Sequence, residues 1–172
     1  MKATVSARAA LAAMNESAKR MPNPLMLVTS LSLLEAQASS EIENIVTTTD
    51  ELFQAADDKA ERASAETKET LRYRTALFHG MESIARRPLS VNTAIEVCAD
   101  IHSREVQVRN VAGTHIGNPQ TRKAVYTPPT GRAVIMQKLS NWADFVHTTE
   151  DIDPLVVMAA AHYQFEAIHQ FT

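Results

Sequence analysis

Three side chains near the C-terminal end have types that do chemistry: His162, Glu166 and His169. On a helix, positions i, i+4 and i+7 share a face. Two imidazoles and a carboxylate on one face are donors for a metal ion, and Glu-x-x-His is the spacing of di-iron helical bundles. Such a bundle needs Glu-x-x-His on a second helix and two further glutamates. No second Glu-x-x-His occurs in the 172 residues, which leaves a single metal on His162, Glu166 and His169 as the metal reading. His169 alone supports another. A neutral imidazole takes the proton of an attacking hydroxyl as general base. A histidine at a helix end is also a partner for the helix dipole.

The element that must position these groups is an apolar segment opened by Asp153-Pro154. Proline suits the first turn of a helix, where its missing N–H costs nothing. Residues 155–168 hold no Gly or Pro. They are apolar on nearly every side, which predicts a buried central helix ending beside His169.

At 45% hydrophobic and 22% charged, with four Gly, the chain reads as one mostly helical globular protein. A net charge of −3 gives no reason to expect nucleic-acid binding. The longest apolar run, near residues 155–161, is far short of the roughly 20 residues that span a bilayer, so no membrane partner is expected. Arg8 and Asn15-Glu16 interrupt any signal-like start. Cys98 is the sole cysteine and forms no internal disulfide, which fits a reducing compartment and sets the cytoplasm as the expected location.

In chain order, residues 3–20 read as a helix ended by Pro22-Asn23-Pro24. Residues 25–38 follow as a second, with Leu27, Leu31 and Leu34 as a buried stripe. Ser40-x-x-Glu43 reads as a capping box opening a new helix. Alternatively, Asn44 reads as the residue past a helix end, since Asn tolerates the left-handed conformation. Thr47-Thr48-Thr49-Asp50-Glu51 reads as a helix start. Residues 57–68 form a solvated charged face. A longer helix covers 65–86, with Leu71, Leu77, Phe78, Met81 and Ile84 inward and His79 partly exposed. Ser90 caps a helix over 91–102, with Ile95, Val97, Cys98 and Ile101 inward. Two β-like pieces, 106–109 and 124–127, flank a polar turn and predict a hairpin. An amphipathic helix over 131–147 precedes the apolar segment.

Four of these stretches resemble the Fic family in the expected order. His169-Gln170-Phe171-Thr172 resembles the opening of its signature, His-x-Phe-x-Asp/Glu-Gly-Asn-Gly/Lys-Arg-x-x-Arg, with Gln170 where Pro is commoner. Ser39-x-x-x-Glu43-Asn44 is similar to the family's inhibitory motif. Pro88-Leu89-Ser90 resembles the turn beside the nucleotide, and Tyr126-Thr127-Pro128-Pro129 the end of the flap that aligns the target.

The resemblance implies a mainly α Fic-type bundle with a short β-hairpin flap. Residues 1–88 would form an N-terminal helical region and 89–172 the first part of the core. It implies transfer of AMP from ATP to a Tyr, Thr or Ser hydroxyl of a target protein, with His169 as the catalytic base. Glu43, with Ser39 and Asn44, would inhibit by repelling the γ-phosphate and occupying an arginine. Glu43, Leu89, Ser90, Val91 and His169 would face the nucleotide, and Val125, Tyr126 and Thr127 would dock the target. Mg²⁺ would be held by a signature carboxylate that would follow Thr172, so no metal ligand is assigned within the chain. The phosphate loop and signature arginines are not among these residues, and the 172 residues alone are expected to show no measurable transfer. A non-catalytic Fic-like interaction module is the alternative, and a second copy of the chain is an allowed partner.

Overall fold

The computed structural model of the chain describes residues 2–42, 44–57, 63–118, 121 and 123–171. Scarce glycine and long runs of good helix formers give a mainly helical protein. Seven helices and one small antiparallel sheet are present among the described residues. They are α1 (Lys2–Ala18), α2 (Pro24–Ile42), α3 (Thr49–Asp57), α4 (Ala65–Arg86), α5 (Val91–His102), β1 (Ile116–Gly117), β2 (Ala124–Tyr126), α6 (Arg132–Thr148) and α7 (Pro154–Ile168). No helix among them is long and apolar enough to cross a membrane.

Side-chain caps set several of the helix starts. Asn23 accepts from Leu25 N at 3.2 Å, Ser64 from Thr67 N at 3.1 Å and Asp153 from Leu155 N at 2.9 Å. At α3 the capping is reciprocal: Thr48 N donates to the Glu51 carboxylate at 2.9 Å, and Glu51 N donates to Thr48 Oγ1 at 3.2 Å. The Thr48 N–H and the Thr48 hydroxyl, which donates at 2.8 Å, hold the Glu51 carboxyl below the usual carboxylate range.

The chain divides into two compact units, one of residues 9–88 and 96–105, the other of residues 1–8, 89–95 and 106–172. In the first, α2, α3 and α4 close around Leu33, Leu52 and Leu71. The face of α2 that is buried carries Ser32, Leu33, Ala36 and Ser40, not the leucine stripe expected from spacing; Leu31 and Leu34 are exposed. Thr47 and Thr67 share a 2.8 Å hydroxyl hydrogen bond, and Gln37 Nε2 reaches Thr47 O at 2.7 Å. These bonds tie α2 and α4 to the segment between α2 and α3, while Ser32 Oγ turns back on Val28 O at 2.7 Å. Leu77, Met81 and Ile84 of α4, expected inward, are exposed as well; the buried residues of this helix are Thr67, Thr70, Leu71 and Ala76, all N-terminal to them. His79 is exposed and pairs with Asp100 at 2.9 Å. Cys98 is half-buried, and burial pushes its thiol pKa up.

In the second unit α6 packs on α7. Ile135, Leu139 and Trp142 of α6 meet Ala161 and Ile168 of α7, with Val108 in the same core. Trp142 is buried with its Nε1 donating to Ala161 O at 3.1 Å, so the indole fills the core without leaving its N–H unpaired. The expectation that α7 is buried all round is corrected here. Val157, Ala161 and Ile168 are buried, but Val156, Met158 and Tyr163 are exposed. An apolar sequence does not choose a face; its packing partner α6 does.

The hairpin also differs from expectation. Residues 124–126 pair antiparallel with 116–117, with Ile116 opposite Tyr126 and Gly117 opposite Ala124. Residues 106–109 take no part in that sheet. Val108 instead bridges Phe171, near the far end of the chain.

Candidate active site

His169 stands at the C-terminal end of α7 as its cap, in the left-handed conformation with φ 46° and ψ 59°. Its N–H donates to Glu166 O at 3.2 Å. A non-glycine residue adopts this conformation at a cost of about 1–2 kcal/mol, so the surroundings must hold it there. The imidazole is exposed and has no hydrogen-bond partner among the described residues. It is therefore free to take a proton from an incoming group.

The last carbonyls of a helix lack partners within it and carry partial negative charge. At α7 three in a row are met by side chains. Tyr126 Oη donates to Ala167 O at 2.7 Å. Arg109 donates from Nη2 to Ile168 O at 3.4 Å and from Nε to His169 O at 2.6 Å. Arg109 Nη2 also reaches Pro129 O at 2.5 Å, and its backbone N–H reaches Gln170 O at 3.0 Å. Beyond this end, the Phe171 ring meets Phe165 edge-on at 6.5 Å, and Phe165 meets Trp142 at 5.0 Å.

Arg109 was not legible as a site residue. In the sequence it closes a short β-like piece, and nothing local marks it as buried. Yet it is 3% exposed and makes no ion pair among the described residues. Its charge is met by carbonyl oxygens of residues 20 to 60 positions away, a long-range arrangement that spacing cannot reveal.

The metal reading fails on the helix end. His162 and Glu166 lie on α7, but His169 follows its last helical residue with a reversed φ, so the i, i+4, i+7 register stops before reaching it. Among the described residues no three His, Cys, Asp or Glu side chains come together to hold a metal ion.

Val125 and Thr127 are exposed on and beside β2, with Tyr126 between them tied to α7. Ser90 caps α5: its Oγ accepts from Thr93 N at 3.3 Å, and its own N–H donates to Thr93 Oγ1 at 3.3 Å. Leu89 and Val91 pack partly buried on the core of this unit, and Leu89 O accepts from His147 Nε2 at 2.7 Å. The structure thus brings His169, the hairpin and the 89–91 turn into one unit.

Ser39 and Asn44 belong to the other unit. Ser39 Oγ donates to Glu35 Oε1 at 3.3 Å. Helix α2 runs through position 40, so Ser40 opens no new helix. Asn44 has φ 62°, with its N–H on Glu41 O and that of Ile45 on Ser40 O, both at 3.0 Å. This pair of bonds is the Schellman closure of a helix end. Glu43 lies outside the described residues.

With this geometry in place, the comparison with known families is decisive for the first half of the chain. The model of the Fic/DOC family N-terminal region matches residues 1–82. Over these residues the chain is similar to that family. The matched part covers α1 to α3 and most of α4, and takes in Ser39 and Asn44 near the end of α2. Its His169 end lies beyond the match and rests on the geometry above.

Proposed function

We propose that this chain serves protein adenylyl transfer, moving AMP from ATP to a hydroxyl side chain of a target protein. The observation that carries the reading is His169: an exposed imidazole, unpartnered among the described residues, at a helix end held by Arg109 and by Tyr126 of the hairpin. Its support from the family is the match over residues 1–82. In the reaction, the target hydroxyl oxygen attacks the α-phosphorus of ATP while His169 takes the hydroxyl proton. The bond from the α-phosphorus to the bridging oxygen breaks, and pyrophosphate leaves.

The hairpin of β1 and β2 offers exposed backbone at Val125 and Thr127 for strand addition by a target segment, which would set the hydroxyl near His169. The described residues hold no donor cluster suited to Mg²⁺, so no step is assigned to it within this chain. Ser39, Glu43 and Asn44 form the proposed inhibitory motif, with Glu43 competing against the triphosphate for positive charge. Leu89, Ser90 and Val91 are proposed beside the nucleotide. The single, half-buried Cys98 fits the reducing cytoplasm as the place of action.

The test uses a chain carrying the complete signature, incubated with α-labelled ATP. His169→Ala is expected to abolish labelling of protein. Retained labelling would remove His169 from its role.

A further inference from the structure

The geometry points to Arg109 as a positioning residue that locks the target-docking hairpin and the His169-bearing helix end into one rigid frame. This deepens the proposed adenylyl transfer and rests on that reading for its catalytic consequence, though not for its structural one.

The argument starts from what a buried arginine costs. A guanidinium removed from water is unfavourable unless its donors are satisfied. Arg109, 3% exposed, meets no carboxylate among the described residues. Its partners are three backbone carbonyls, of Pro129, Ile168 and His169. Capping a helix end alone needs no such residue, because a glycine or a surface lysine serves. A buried planar fork does something those cannot: it holds several acceptors at fixed mutual positions.

The acceptors come from two parts of the fold. Ile168 and His169 end α7, and Pro129 ends the segment leaving β2. Tyr126, on β2 itself, caps the neighbouring Ala167 carbonyl, and the Val108–Phe171 bridge adds a further tie. Three consecutive carbonyls at the end of α7, those of Ala167, Ile168 and the cap His169, are therefore held by donors from residues 109 and 126. One of them belongs to His169, the residue whose left-handed φ needs holding. A hydroxyl presented along β2 would be registered against the imidazole through this clamp. Rate responds steeply to such registration, since a misplacement of about 1 Å costs about 100-fold.

Lysine at 109 keeps the charge but supplies a point donor in place of a fork, so the test compares Arg109→Lys and Arg109→Met in a chain with the complete signature. Two readouts are taken. The first is backbone amide exchange. It is expected to rise roughly tenfold in both variants at residues 124–127 and 166–171, as expected for lost charged hydrogen bonds, with α6 unchanged. The second is steady-state transfer to a target peptide. Arg109→Lys is expected to lower kcat by about 100-fold with KM for ATP within about twofold of wild type; Arg109→Met lowers kcat at least as far.

Exchange and kcat at wild-type values in Arg109→Lys would overturn the proposal. So would exchange rising equally throughout α6, because that is core loosening and not positioning. If Arg109→Met does not fold, Arg109→Lys decides. If neither folds, Tyr126→Phe, which removes one hydroxyl from the same clamp, must raise exchange at 166–171 and lower kcat, and its failure to do so counts against the clamp. His169→Ala runs beside them: labelling that survives it overturns the adenylyl-transfer reading, while the exchange data still judge the clamp.

Discussion

Helices α2 and α7 each end beside a non-glycine residue in the left-handed conformation, Asn44 in one and His169 in the other, yet they are held by different means. At Asn44 the closure among the described residues is two 3.0 Å backbone N–H to carbonyl bonds back into the last turn. At His169 a buried guanidinium, a phenol and a row of three aromatic rings converge. The side chain at 44 suits its conformation, since asparagine is at home there; histidine at 169 needs outside help. The contrast fits the proposed roles. A general base works only where it is held, whereas an inhibitory segment must be able to leave. A helix end closed by local bonds opens with little disturbance elsewhere.

The largest break to this contrast comes from the aromatic support. Trp142→Ala removes the indole that carries Phe165 and, through it, Phe171. It is expected to cost about 3–5 kcal/mol of stability, read by chemical denaturation, with exchange at the end of α7 rising first. An unchanged denaturation midpoint would mean that the aromatic row supports nothing.

A smaller effect is expected at the other helix end. Asn44→Ala forces alanine into the left-handed region and should cost about 1–2 kcal/mol, whereas Asn44→Gly should leave stability equal or slightly raised. If alanine and glycine behave alike at 44, the helix end is not left-handed in solution.

The smallest effect sharpens the comparison within the same unit. The Glu51 carboxyl is held below the usual carboxylate range by its bonds from Thr48, so the folded state favours its charged form. That contribution is present above the ordinary carboxylate pKa and is lost as pH falls through the lowered value. Glu51→Gln should flatten the acid limb of a stability–pH curve slightly and leave neutral-pH behaviour at the α7 end untouched. A variant with the wild-type acid limb would remove the capping box as its source.

Much of the helical order was legible because breakers and caps are local. Pro22-Asn23-Pro24, Ser90 and Asp153-Pro154 each mark an end that the structure keeps. Faces were less legible. Leu31, Leu34, Leu77 and Met81 sit at helical spacings that suggest burial, yet they are exposed. Periodicity reports that a helix has an apolar side, not what meets it. The position of His169 at a helix end could be read from the sequence, but not what fixes it. Arg109 lies 60 residues away from His169, and only the folded chain brings its fork to the helix end. The same applies to Val108, whose β-like surroundings suggested a hairpin partner and whose bridge is to Phe171.

The most direct measurement pairs the two helix ends in one experiment: transfer from α-labelled ATP by wild type, Glu43→Gly and Glu43→Gly with His169→Ala, each carrying the complete signature. Labelling is expected to rise in Glu43→Gly and to vanish in the double variant. Labelling that is unchanged by Glu43→Gly, or that survives in the double variant, would contradict an inhibitor at one helix end and a catalytic base at the other.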